Sequence, residues 1–530
     1  MSRIKVHFDE KTIDAIFRDL DPSQLPGAAV GIAIGGVPVY RKGFGLASME
    51  LPVALTPQTR MRIYSTTKHF TCLAYLLLCE EGKASIDDRV GKYLPDLHLV
   101  VHNVTMRQLM SHTSGLRDAC DIRWFFSGIE GTVPAHDLLA LYRYIDDVNF
   151  LPGEAWSYNN GGYHILSAVI EKLADMSLEE VFRTRIFEPV GMHDTLLRRV
   201  DTDFVRNSAT MHMLGRRNVY EKTYLPGELA GEGGIVSTVE DMLLWMRNAS
   251  NPVIGSPDTW GLMSTSQSLN DGMETGYGLG LFLNPYKHVA MISHSGLGLG
   301  SNSEMIRIPS AALDIIVLVN RSDISSTELA ARILDDCLGI RSEPSPSDAK
   351  LLTGLFRCAN TGQVVRLYGR EGLQMASIDG GEETRMVLTG DRELGHLPHA
   401  CSPLAISWSE DDAEPGRLHY EEYGNRNELL RIPIEPDRNV VVIPGDYLAA
   451  GIGVCLRVET CESNSDHKRV ILTGRFGSRL YELERLGACV WRLIAADRTG
   501  WWGTLMVEPD GRSLVLKTPN TWKVTFRRST

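Results

Sequence analysis

The spacing of apolar and polar residues divides the chain into stretches of different texture. Residues 27–40 read as two apolar strands around a Gly35-Gly36 turn, a β-hairpin. An apolar run over residues 70–79 then predicts a buried helix. Further on, His164, Ile165, Ala168, Val169 and Leu173 recur at helical spacing and predict a second helix. Residues 290–293, 303–308 and 313–320 predict three strands in succession, and residues 325–338 a closing helix. A hairpin at one end, a helical middle and a strand run at the other predict one antiparallel sheet built from both ends of the domain.

After this the pattern changes. Residues 341–348 are rich in Pro and Ser and predict a linker. Short alternating strands follow, for example residues 364–368 and 385–388. A second break falls near residues 434–437. Residues 441–447 resemble residues 351–356, since both are apolar pairs followed by Gly-x-aromatic. This weak internal repeat predicts two small all-β modules, each a barrel. The expected fold class is therefore α+β, with domains at 1–340, 346–436 and 437–530.

Composition narrows the function without choosing it. The chain has 530 residues, of which 43% are hydrophobic and 23% charged, ordinary values for globular protein. The net charge of −12 argues against a nucleic-acid surface. The first residues lack the roughly 7–15-residue apolar core of a secretory signal. No run reaches the ~18 apolar residues of a membrane span. The nine cysteines are scattered without CxxC spacing, which favours reduced thiols in a cytoplasmic protein over disulfides or zinc. No metal and no cofactor is expected.

Candidate chemistry begins at Ser65 and Lys68. Residues three apart share one face of a helix, which would bring the amine to the hydroxyl. A serine hydroxyl needs an adjacent base to act as a nucleophile, and a lysine serves if burial strips its proton. The plain alternative is a helix-capping serine with a solvated lysine one turn on. A polar loop follows the Pro152-Gly153 turn and ends just before a helix. It carries Tyr158, a phenol, and Asn160, whose amide can hold a lysine or a substrate carbonyl. A packed aromatic and a helix-capping Asn would look the same. His294 and Gly296 close an apolar strand, where the glycine permits a close substrate approach and the histidine could orient the tyrosine or a substrate group. A strand-end histidine can also be purely structural.

The order Ser65-Lys68, Tyr158-Asn160, His294-Gly296 resembles that of the penicillin-recognising serine hydrolases: Ser-x-x-Lys, Tyr-x-Asn, Lys-Thr-Gly. Residues 109–116, 233–238 and 277–280 resemble the same superfamily, so the likeness spans about residues 10–340. It implies a serine β-lactamase-like domain, an antiparallel sheet flanked by helices. The third motif departs from the pattern, with histidine in place of the lysine that helps bind a substrate carboxylate. With the two C-terminal β modules and the run of residues 65–72, this resembles the D-stereospecific aminopeptidases. That likeness implies release of a small N-terminal D-residue, such as D-Ala, from peptides, amides or esters through an acyl-enzyme. It also implies a homodimer. Ser65 would attack, Lys68 and Tyr158 would share the base role, Tyr158 would later protonate the leaving amine, and Asn160 would steady Lys68.

An aminopeptidase must also hold the substrate ammonium, in this family through a loop of the last domain. The turn at residues 474–479 is basic. The turn at residues 496–501 presents Asp497, a carboxylate suited to an ammonium, although a turn-stabilising aspartate would look alike. Alternatives within the fold are a β-lactamase, an esterase or a D,D-carboxypeptidase. A non-catalytic binding protein is the remaining one.

Overall fold

In the computed structural model of the chain, the structure describes residues 4–18, 20, 24–128, 133–215, 217–340, 351–396, 403–409, 414–435, 442–461, 464–497, 502–508, 510 and 512–529. The expected linker at 341–348 lies outside them, as do residues 436 and 437 of the second break.

The hairpin forms as β1 (Ala28–Ile34) and β2 (Val37–Phe44). Gly35 and Gly36 turn the chain at φ +61° and +76°, which a residue without Cβ adopts freely. The distal run forms β3 (Ile292–Gly298), β4 (Ser301–Ile308) and β5 (Leu313–Val319). These pair in the order β3-β4-β5-β1-β2, antiparallel throughout. Ala28 faces Val319 and Ile34 faces Leu313, so the two ends of the domain meet in the middle of the sheet. β5 is buried along its whole length, as its unbroken apolar run requires when both faces are covered. The helix Ser326–Leu338 packs on one face, with Ile333, Leu334 and Cys337 in the same core as Ile315 and Val317.

The middle of the domain is helical. Here α1 is Lys68–Glu80, α2 is Ala119–Ser127 and α3 is Asn160–Ala174. The apolar run of α1 is buried on nearly every side, from Lys68 to Leu76. Ser65 precedes α1 rather than sharing its first turn: Tyr64–Thr67 form a 3-10 turn that leads into the helix. Tyr64 sits at φ +45°, so the chain turns sharply just before the serine.

Beyond residue 350 there are two closed antiparallel barrels of eight strands each, spanning Gly354 to Ile432 and Gly445 to Arg528. The repeated Gly-x-aromatic motif opens the first strand of each barrel. Gly354 and Gly445 stand at φ +156° and +145°, outside the range of ordinary side chains. The second barrel shares a hydrophobic core with the helical layer. Phe125 of α2 stacks on Tyr481 at 4.9 Å, and the Tyr481 hydroxyl donates to the Phe125 carbonyl at 2.6 Å.

Candidate active site

Four of the residues singled out from sequence converge on one buried amine. Lys68 is fully buried at the start of α1. Its Nζ donates to Ser65 Oγ at 3.2 Å, to Asn160 Oδ1 at 2.8 Å and to the Glu232 carbonyl at 2.7 Å. Burial disfavours the charged amine and brings its pKa down to about 8, against the opposing pull of Glu232 and Asp118. The Tyr158 hydroxyl neighbours Ser65. Its ring lies 4.7 Å from the Lys68 amine. Burial pushes the Tyr158 phenol far above its ordinary range, so it stays protonated at working pH.

The two asparagines before α3 divide the work between them. Asn159 is the helix cap, accepting from the Gly162 N–H at 2.8 Å. Asn160, one residue on, is thereby free to turn its amide to Lys68. The buried Asp118 carboxylate fixes this corner, accepting from the N–H of Asn160 and of Gly161, each at 2.9 Å. Asp118 carries no motif of its own, and sequence reasoning missed it.

Glu232 was missed as well. It stands in Gly231-Glu232-Gly233-Gly234, at the edge of a stretch already notable for its glycines. Its carboxylate lies 3.2 Å from His164 Nε2 of α3, both side chains being almost fully buried. Burial opposes both charges, but each partner outweighs it: His164 titrates above and Glu232 below the ordinary value. The contact is close without being a well-aligned hydrogen bond.

Strand β3 closes the other side. Gly296 lies so near the turn before Ser65 that a Cβ there would stand 2.0 Å from the Ile63 carbonyl oxygen. Thr66 Oγ1 donates to the His294 carbonyl at 3.0 Å, tying the same turn to the strand. The His294 ring is buried and committed on both sides. Nδ1 lies 2.7 Å from the Ser295 carbonyl, which can only accept, so Nε2 accepts from the Tyr277 hydroxyl at 3.1 Å. Burial and the Lys68 charge hold its pKa down to about 3, and the ring is neutral. It is therefore no cationic substitute for a motif lysine. Tyr277, at the head of the 277–280 stretch, is the tyrosine that His294 engages by hydrogen bond; Tyr158 lies 6.4 Å away, ring to ring.

Asp497 has a different setting. Its carboxylate accepts two hydrogen bonds from Arg479, at 2.8 and 3.1 Å. Arg479 also donates to the Trp124 carbonyl of α2 at 2.8 Å. Both turns considered for ammonium binding thus meet at α2, and the charge of Asp497 is already balanced. Residues 498–501 of that turn lie outside the described residues.

The first barrel also reaches the site, a contact not foreseen from sequence. The Asn425 side chain clamps the backbone of Trp156, accepting from its N–H and donating to its carbonyl, both at 2.8 Å. Tyr423 stacks on the Trp156 ring at 3.9 Å. Tyr423, Trp156, Tyr277 and Phe282 form one small core, so the barrel turn braces both the Tyr158 loop and the partner of His294.

The beta-lactamase family model matches residues 13–337. The chain belongs to the beta-lactamase family. It is a hydrolase of that family. A D-aminopeptidase of Gluconobacter oxydans is 26% identical, over 94% of this chain and 94% of its own length. Penicillin-binding protein 4* of Bacillus subtilis is 29% identical over 60% of this chain and 74% of its own. Among solved structures, the octameric penicillin-binding protein homologue from Pyrococcus abyssi superposes with a TM-score of 0.57 at 20% identity. It covers 98% of this chain and all of its own. The D-amino acid amidase from Ochrobactrum anthropi SV3 gives a TM-score of 0.54 at 21% identity over 63% of this chain and all of its own. These two likenesses establish the fold.

Proposed function

We propose that this member of the beta-lactamase family is a D-stereospecific aminopeptidase that releases a small N-terminal D-residue through an acyl-enzyme on Ser65. The observation that carries the chemistry is the buried Lys68 amine, held between Ser65 and Asn160 with its pKa near 8. Support for the substrate comes from the relative named D-aminopeptidase, which matches nearly the whole chain, barrels included. The neutral His294 agrees with this reading, because a substrate with a free amine offers no carboxylate at that strand for a cation to bind.

Lys68 takes the base role. With a pKa near 8, about a tenth of the amine is neutral at pH 7. That fraction accepts the Ser65 proton as Oγ attacks the carbonyl. Tyr158, protonated and beside Ser65, gives its proton to the departing amine. The two groups divide the work that the sequence had them share. The N–H of Ser65 and one from the Ser295-Gly296 backbone face the developing oxyanion. Water then releases the D-acyl group by the reverse proton path. Asp497 is not given a part, since its charge is held by Arg479.

Hydrolysis of D-Ala and L-Ala p-nitroanilide tests this directly. The D-isomer turns over, the L-isomer does not, and Ser65→Ala abolishes both turnover and the acyl adduct seen by intact mass. A Ser65→Ala protein that still cleaved the D-anilide would sink the assignment, and equal rates on both isomers would sink the stereospecificity.

A further inference from the structure

Residues 112–116 run beside the loop that carries Tyr158 and pair with it. The Gly153 N–H donates to the Thr113 carbonyl at 2.8 Å, and the Asn159 side chain donates to the Leu116 carbonyl at 2.7 Å. His112 holds the loop at two points. Its carbonyl accepts from the Ser157 N–H at 2.9 Å, and its Nδ1 accepts from the Asn159 N–H at 3.0 Å. Between these two bonds lies Tyr158, whose ring centre is 4.3 Å from that of His112. One residue thus engages all three members of Ser157-Tyr158-Asn159.

The chain is bent where this happens. His112 follows the short helix Met106–Met110 and stands at φ +62°, a left-handed conformation that histidine and asparagine tolerate better than most side chains. From that turn its carbonyl and its ring reach the same loop. The ring is fully buried, with the rings of Trp156, Tyr163 and Tyr277 at 5.7, 5.4 and 4.9 Å. A backbone N–H can only donate, so Nδ1 keeps its lone pair and the proton of the neutral ring stands on Nε2. Burial, with the nearby charge of Lys68, holds the ring well below its ordinary pKa, and the lone pair stays available at working pH. The bonds to Ser157 and Asn159 fix the backbone on either side of Tyr158, and with it the place of the phenol.

We propose that His112 is a positioning residue that holds the Tyr158 phenol where it can protonate the departing amine. The inference rests on the acyl-enzyme reading, in which Lys68 takes the Ser65 proton and Tyr158 serves the leaving group. The defect of a His112 variant then depends on what leaves. When the C–N bond of an anilide breaks, the Tyr158 proton goes to the nitrogen. When the C–O bond of a p-nitrophenyl ester breaks, the electron pair departs on p-nitrophenolate, which needs no proton. A misplaced phenol slows the first and spares the second, whereas a general loosening of the fold slows both.

The test is the ratio of kcat/KM for D-Ala p-nitroanilide to that for D-Ala p-nitrophenyl ester, two substrates that differ at the bridging atom. His112→Phe keeps a ring and removes the acceptor, and the ratio falls roughly tenfold, the effect of one buried hydrogen bond lost. His112→Asn suits the same backbone, keeps an acceptor and removes the stacked ring, and the ratio falls about threefold. The two variants remove different halves of the hold, so misfolding of one leaves the other to decide. A ratio within twofold of wild type in every variant that folds, with the two rates unchanged or falling together, overturns the role of His112 and leaves the acyl-enzyme reading standing. A wild-type protein that hydrolyses neither compound overturns that reading, and the role with it.

Discussion

Lys68 titrates near 8 because it is buried, and Glu232 and Asp118 keep it from falling further. With the neutral amine as the proposed base, kcat/KM is expected to rise with pH through an apparent pKa of about 8. The rise comes from loss of the Lys68 proton; His294, neutral above about pH 3, adds no limb of its own near neutrality. Glu232→Gln keeps the carbonyl that accepts from Lys68 and removes a carboxylate that favours its charge. The acid limb of that variant moves to lower pH, which a pH–rate profile would record; a limb that stayed in place or moved upward would refute this electrostatic account. Ser65, Lys68 and Asn160 could be picked out from sequence as the proposed nucleophile, base and anchor because those roles have few chemical identities to choose from. Glu232 was not legible, because the hydrogen bond it gives Lys68 comes from a backbone oxygen, which any residue carries, and only the fold brings its carboxylate near the amine. Asp497 looked available because a carboxylate on a turn does not announce the arginine, eighteen positions earlier, that claims it.

At the scale of elements, the site depends on a loop braced from outside its own domain. Trp156 and Tyr158 share a polar segment between helices, and such segments move unless something ties them down. Here Asn425 makes two hydrogen bonds to the Trp156 backbone and Tyr423 stacks on its ring. Asn425→Ala releases the clamp and lets Tyr158 drift from Ser65. The expected result is a fall in kcat of about tenfold, the scale of one to two hydrogen bonds, with circular dichroism unchanged. D-Ala amide and D-Ala-Gly-Gly lose rate together, because Tyr158 serves both. An unchanged kcat would show that the Tyr158 loop holds its place without Asn425. The hairpin, α1, α3, the closing helix and the strands of the sheet were legible, since period and length agree there; α2 was not predicted. The short 3-10 turn at Tyr64–Thr67 was not legible either; it lies against β3, where Gly296 approaches Ile63 and Thr66 bonds to His294, residues far apart in sequence.

On the scale of the whole molecule, the second barrel is bound to the helical layer by burial and by polar contacts. Phe125 is fully buried between α2 and Tyr481. Asp121 accepts from Thr518 and Thr521 of the barrel, both at 2.5 Å. Phe125→Ala should cost about 3–5 kcal/mol, the range for a fully buried Phe emptied to Ala. Denaturant unfolding would show it as a lower midpoint of the transition that also carries loss of activity. A change below ~1 kcal/mol would mean that barrel and helices pack independently of this contact.

The sequence by itself determined the class of the fold and which residue types could supply the proposed chemistry. Strands and helices follow local period, and candidate groups follow residue type, so both are written in short windows. Its two β modules were legible for the same reason, through a repeated Gly-x-aromatic start. Only the tertiary structure decided which charges are free, because pairing depends on neighbours remote in the chain: Arg479 takes Asp497, and Tyr277 takes His294. It also decided that the first barrel braces the Trp156–Tyr158 loop, through contacts between residues 269 positions apart, which no local pattern encodes.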